Sequence, residues 1–152
     1  MSQFPELVAP PPTAHVFTRE LRIEWGDCDP AAIVFYPRYF AFFDANTAYL
    51  FESVGLPKAE LVAKYGIVGM PLVDVGAKFF SPSKFADRVT IESYVAEWRR
   101  SSLTVAHRLL NGGKLAIQAH ETRVWAGHDA ERPGAIKAQA IPGEVTARFI
   151  KA

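Results

Sequence analysis

One segment governs what this 152-residue chain can fold into. Residues 37–54 read as a single long helix, with Phe40, Phe43, Thr47, Leu50, Phe51 and Val54 recurring at helical spacing. Pro37 suits the first helical turn, and Gly55 followed by Pro57 is a stop signal. A helix this apolar must be covered, and most of the chain beyond it reads as strand: residues 72–80, 89–98, 103–110 and 115–126. Asn111-Gly112-Gly113-Lys114 predicts a tight hairpin between the last two. Residues 99–102 predict a bend, residues 15–25 alternate as a first strand, and residues 146–150 predict an added edge strand. One helix against one curved antiparallel sheet is an α+β architecture. Such a sheet has open edges, so edge pairing into a dimer is expected.

Composition narrows the possible functions. A hydrophobic fraction of 49% supports one real core, placed over residues 15–152. Residues 1–14, with Pro5, Pro10, Pro11 and Pro12, predict a flexible segment outside it. Lys and Arg total 17 against 16 Asp and Glu, a balance that gives nucleic acid no field to follow. The single cysteine, Cys28, excludes an intramolecular disulfide and a Cys-rich zinc site, and suits a reducing compartment. No apolar run reaches the ~20 residues of a membrane span. The N-terminus has no basic region followed by an apolar one, so a cytoplasmic protein is expected.

The chemistry concentrates between Ile23 and Asp44. Asp27 and Asp29 flank Cys28 in a loop dense in breakers, followed by the apolar residues 31–36 and the helix start. A helix start presents unpaired N–H groups and a partial positive charge, which polarise a carbonyl and hold an oxyanion. The backbone N–H of Tyr36 fits that role, whereas Pro37 has none to offer. Asp29 just upstream is the candidate catalytic carboxylate, attacking the carbonyl or deprotonating a water. The competing reading makes Asp29 a turn or cap residue. Asp27 is expected to orient the loop through backbone bonds. Cys28 is set aside as nucleophile, because its thiolate would form between two carboxylates. His15, His107, His120 and His128 show no metal spacing and are read as structural, with His107 and His120 neighbours across the hairpin. No metal or cofactor is expected.

In this stretch the chain resembles the 4-hydroxybenzoyl-CoA thioesterase family of hotdog-fold proteins. The matching elements are Gly26-Asp27-Cys28-Asp29-Pro30-Ala31, Ile33-Val34, Tyr36-Pro37 and Tyr39. Two later blocks agree: Tyr65-Gly66-Ile67-Val68-Gly69-Met70-Pro71 and Glu97-Trp98-Arg99-Arg100-Ser101. The resemblance implies an acyl-CoA thioester hydrolase whose acyl group is aromatic, with Asp29 as the catalytic carboxylate and the Tyr36 N–H on the thioester carbonyl. It implies that Asp44, inside the long helix, meets the phenolic hydroxyl of the substrate. It further implies that Phe35 borders the aryl group, that Arg99 and Arg100 bind CoA phosphates, and that homotetramers (dimers of dimers) form with sites at subunit interfaces. Two alternatives stay open: a thioesterase for other acyl-CoA or acyl-carrier-protein substrates, and a non-catalytic acyl-CoA-binding protein. The chain departs from the family pattern at Ala32, where glycine is usual, and at Phe35, where tryptophan is frequent.

Overall fold

The computed structural model describes residues 9–151. Strand β1 (Phe17–Arg22) leads through a 3-10 turn at Trp25–Asp27 to the long helix α1 (Tyr36–Ser53). A short helix α2 (Lys58–Tyr65) and strand β2 (Ile67–Gly69) precede β3 (Leu72–Phe79), β4 (Arg88–Trp98), β5 (Ser102–Asn111) and β6 (Lys114–Val124). The chain closes with β7 (Ala126–His128), β8 (Ile136–Ala138) and helix α3 (Gly143–Ala147). β1, β4, β5, β6 and β3 pair in that order into one antiparallel sheet. β2, β7 and β8 form a smaller second sheet.

The helix lies against one face of the large sheet and buries Tyr39, Phe43, Asn46, Thr47, Leu50 and Phe51. Its N-terminal half packs Tyr39 and Phe43 on Ile23, Val89, Ile91, Leu109 and Ile117. Its C-terminal half packs Leu50 and Phe51 on Leu103, Val105, Trp125, Val145 and Phe149. Removal of this apolar surface from water is what holds the helix in place, at about 25 cal/mol per Å². Between the two clusters the helix presents Asn46 and Thr47, and the sheet answers with Ser93, His107 and Glu121.

The hairpin falls where the sequence places it. Asn111 pairs with Lys114, and the central Gly112 and Gly113 take φ of +61° and +78°. Two consecutive left-handed residues suit the twist of a two-residue hairpin and favour glycine at both positions. His107 and His120 do sit on paired strands, but His107 opposes Ala119 and His120 opposes Ala106. Offset by one position, they point to opposite faces of the sheet.

Two expectations need correction. The edge strand at 146–150 is absent; helix α3, begun after Pro142, ends at Ala147, Arg148 and Phe149 form a turn, and Ile150 alone makes a β-bridge, to Ala14. Helix α2 has no counterpart among the elements expected from the sequence, because eight residues with one buried side chain, Leu61, leave little periodic signal. Of the expected flexible segment 1–14, residues 1–8 lie outside the described residues. His15 donates its N–H to the Phe149 carbonyl (2.9 Å) and Lys151 donates to Thr13 (2.7 Å), tying the start of the domain to its end.

Phe43, 1% exposed, stacks on His107 with ring centroids 5.0 Å apart. Phe43→Ala is expected to destabilise the protein by about 3–5 kcal/mol, measured as a lower urea midpoint with an unchanged m-value.

Candidate active site at the start of the long helix

The loop before α1 is organised by a buried carboxylate. Asp27, 6% exposed, accepts the Glu24 N–H on one oxygen (2.8 Å) and Arg38 Nε and Nη2 on the other (3.2 and 2.9 Å). Its carbonyl takes the Phe35 N–H at 2.8 Å. A carboxylate is removed from water at such a site only when donors of this kind replace the solvent. Asp27 thus ties the 3-10 turn to the first turn of the helix. Arg38 is not among the residues singled out from the sequence. Its signal there is a cation in the first helical turn, where the helix dipole disfavours it unless a carboxylate is near.

Two residues on, the chain turns back on itself. The Asp29 N–H donates to the Ile33 carbonyl (3.0 Å) and the Ala32 N–H to the Asp29 carbonyl (2.8 Å). A β-bridge between Cys28 and Val34 closes the base of the turn. One Asp29 carboxylate oxygen accepts the Ala31 N–H at 2.8 Å, and the side chain stays half-buried. The turn role weighed against a catalytic one is therefore real, and its bond to Ala31 fixes one carboxylate oxygen. Ala32 has φ +66°. This left-handed position explains why glycine is usual there: the methyl costs roughly 1–2 kcal/mol of local strain. Cys28 is half-buried, packed against the cluster under the helix's first half, with its thiol directed at the Glu24 carbonyl.

Tyr36 begins α1, and Phe35 caps it without a side-chain hydrogen bond. Ahead of that start lies an apolar groove of about 380 Å³. Ile33, Tyr36, Tyr39, Phe79, Phe80 and Pro82 are among its walls. The Asp29 backbone is hydrogen-bonded to one of those walls, Ile33, and another wall is Tyr36, whose N–H makes no hydrogen bond among the described residues. Burial raises the Tyr39 phenol above its usual pKa, against the hydrogen bond it receives from the Ser83 N–H. Phe35 is 48% exposed and lies beside Tyr36, off the lining of this groove.

The other sequence-derived candidates lie farther along. Asp44 is two helical turns on, at the mouth of a second cavity of about 170 Å³ that it shares with Thr47, Phe51, Lys58, Met70 and Arg123. Its side chain is 70% exposed and paired with Arg123 at 2.6 Å. Arg123 in turn bonds Glu121, which is held by Thr47 (2.6 Å) and lies 3.5 Å from His107. Burial opposes ionisation of Glu121, but His107 and Arg123 outweigh it and hold the pKa down to about 2. Arg99 and Arg100 sit at the β4–β5 bend, where Arg99 pairs with Glu97 at 2.7 Å. The neighbouring Trp98 packs at a tilt against Phe149, which meets Phe51, in the last turns of α1, edge to face. An 18-residue helix is ~27 Å long, so one protomer holds Asp29 and its arginine pair at opposite ends.

The long helix, the curved antiparallel sheet and a carboxylate-bearing turn at the helix start define a class. Residues 23–149 match the model of the thioesterase-like superfamily, and the chain belongs to that family, with its hotdog fold. It is 41% identical over 133 residues to the 4-hydroxybenzoyl-CoA thioesterase of Pseudomonas sp. strain CBS-3, covering 84% of this chain and 94% of that enzyme. Among solved structures it is similar to an Asp-to-Asn variant of 4-hydroxybenzoyl-CoA thioesterase complexed with 4-hydroxybenzoyl-CoA. There the TM-score is 0.80 and the identity 37%, over 90% of this chain and 99% of the other. It is also similar to a gentisyl-coenzyme A thioesterase, with TM-score 0.73 and 31% identity over 88% and 98% of the two chains.

The depressed pKa of Glu121 is worth roughly 3 kcal/mol of folding stability. For a carboxylate depressed in the folded state, that stability is present above the unfolded value of about 4.5 and is lost as pH falls through about 2. In Glu121→Gln this part of the acid limb is expected to flatten, while stability at pH 7 falls by about 3–5 kcal/mol because Arg123 loses a buried partner. Urea unfolding at pH 2, 3, 4.5 and 7 measures both.

Proposed function

We propose that this protein hydrolyses the CoA thioester of a hydroxylated aromatic acid, of the 4-hydroxybenzoyl kind, to the free acid and CoA. The observation that carries the reading is the turn that holds Asp29 beside an apolar groove: its walls include Ile33, the backbone partner of Asp29, and Tyr36, the first residue of α1. The thioester carbonyl sits against the Tyr36 N–H, where the helix dipole and an unpaired donor favour the developing oxyanion. Asp29 then acts in one of two ways. It attacks the carbonyl, expelling CoA thiolate and leaving an acyl anhydride that water opens, or it takes a proton from the water that attacks. Two similar enzymes are named for hydroxylated aromatic thioesters, which favours such a substrate over an aliphatic chain. Asp44, an acceptor on an otherwise apolar stretch of helix, supplies the contact for the aryl hydroxyl.

The site is completed by a second copy of the chain in this reading, and the copies assemble further as a dimer of dimers. Two features support it. Arg99 and Arg100 lie by the far end of α1 from their own Asp29, beside Trp98 and Phe149, so a partner's arginine pair is free to serve each Asp29. Strand β3 is an edge of the sheet and exposes Leu72, Val73, Val75 and Phe79, an apolar edge that invites pairing. Among the described residues no helix is long and apolar enough to cross a membrane. We place the reaction in the cytoplasm, where CoA thioesters diffuse freely and a free thiol such as Cys28 persists.

Asp29→Asn is expected to keep the wild-type circular dichroism and melting profile and to lose about 10²- to 10⁴-fold in kcat on 4-hydroxybenzoyl-CoA, read by thiol release. Turnover near the wild-type rate in that variant rejects the mechanism. In a single turnover in ¹⁸O-water, label in the Asp29 carboxylate identifies the anhydride path, with water opening the anhydride at the aspartyl carbon. Val73→Lys, placing charge on the β3 edge, is expected to shift the sedimentation coefficient to that of a monomer and to abolish turnover with it. An active monomer contradicts the composite site.

A further inference from the structure

We propose that Arg123 is a positioning residue for substrate selection: it fixes the Asp44 carboxylate so that its second oxygen faces a hydroxyl on the acyl group. This rests on the proposed contact between Asp44 and the aryl hydroxyl and adds the part that makes such a contact selective.

The geometry is that of a guanidinium with every edge engaged. Arg123 Nε donates to Glu121 at 3.0 Å, Nη1 to the Met70 carbonyl at 3.1 Å, and Nη2 to Asp44 Oδ1 at 2.6 Å. The Arg123 side chain is 12% exposed and its anchor Glu121 only 3%. Glu121 is itself fixed by the Thr47 hydroxyl from the helix. An exposed ion pair between two mobile side chains holds little. Here one partner is immobilised from two directions before it meets Asp44, so the Asp44 carboxylate meets a preset donor in a planar fork.

Asp44 Oδ1 is occupied by that bond, while Oδ2 makes no hydrogen bond among the described residues. An ionised carboxylate is an acceptor only. A hydroxyl on the ring satisfies it; an unsubstituted ring displaces its water and returns nothing. Sites built to hydrogen-bond a substrate hydroxyl reject the analogue lacking it far more strongly than an apolar pocket does. The rejection depends on the carboxylate being unable to swing back to solvent, and at 70% exposure only Arg123 restrains it.

The test compares kcat and KM for 4-hydroxybenzoyl-CoA and benzoyl-CoA in the wild type, Arg123→Gln, Asp44→Asn and the double variant. A general loss of packing lowers both rates together and leaves their ratio alone. Arg123→Gln is expected to lower the ratio of kcat/KM values about tenfold, through KM for the hydroxylated substrate, and the double variant to lose no more than Asp44→Asn alone. Arg123→Lys, which keeps the charge but not the fork, is expected to lose part of the ratio and serves if the glutamine variant does not fold. A wild-type ratio in the Arg123 variants with a lowered one in Asp44→Asn overturns the role of Arg123 and leaves the Asp44 contact standing. An unchanged ratio in Asp44→Asn overturns both.

Discussion

The burial of one face of α1 against the concave side of the sheet is the contact on which the rest of the molecule hangs. It gathers the apolar residues of β1, β4, β5 and β6 into two clusters along a single helix. Because the helix is pinned along its length, its first turn is presented at a fixed place beside β3 and the Asp29 turn. Local geometry then adds detail. Asp27 and Arg38 lock the incoming loop to that first turn, and Cys28 and Val34 close the turn that carries Asp29. The electrostatics of the site follow from packing that is mostly apolar.

Much of this is legible in the sequence where a strong local rule operates. The helical repeat of Phe40, Phe43, Leu50 and Phe51 and the glycine pair at the hairpin each state their structure directly. The signal weakens where long-range contacts decide. Residues 146–150 read as a short strand, yet Phe149 is drawn onto Phe51 and Trp98, Val145 joins the same cluster, and the segment forms the end of α3 and the turn after it. The eight residues of α2 carry too short a pattern to register. His107 and His120 look like partners in one dimension, and only the strand register sends them to opposite faces.

The candidate site divides in the same way. Asp29 and Tyr36 stand out from the sequence because they lie seven residues apart, on either side of one turn. Asp44 stands out as an acid on an apolar helix, but its partner Arg123 lies on β6, 79 residues away. The buried chain from His107 through Glu121 to Arg123 is likewise invisible until strands β5 and β6 pair, since each member alone resembles an ordinary strand residue. Family likeness points to candidate residues on α1; the residues that discipline them come from the sheet.

Asn46 and Thr47 carry a mechanical consequence. Greasy neighbours tolerate small slips, and a helix set only against Leu, Ile and Val has several near-equivalent ways to settle. These two polar side chains have one: Asn46 opposite Arg19 and Ser93, Thr47 opposite Glu121. Sliding the helix by a turn or rolling it by one residue takes the Thr47 hydroxyl from Glu121 and strands the Asn46 carboxamide in hydrocarbon. The midpoint therefore works as a key in a keyway, and the alignment of the helix tip beside its apolar groove is set half a helix away from that tip.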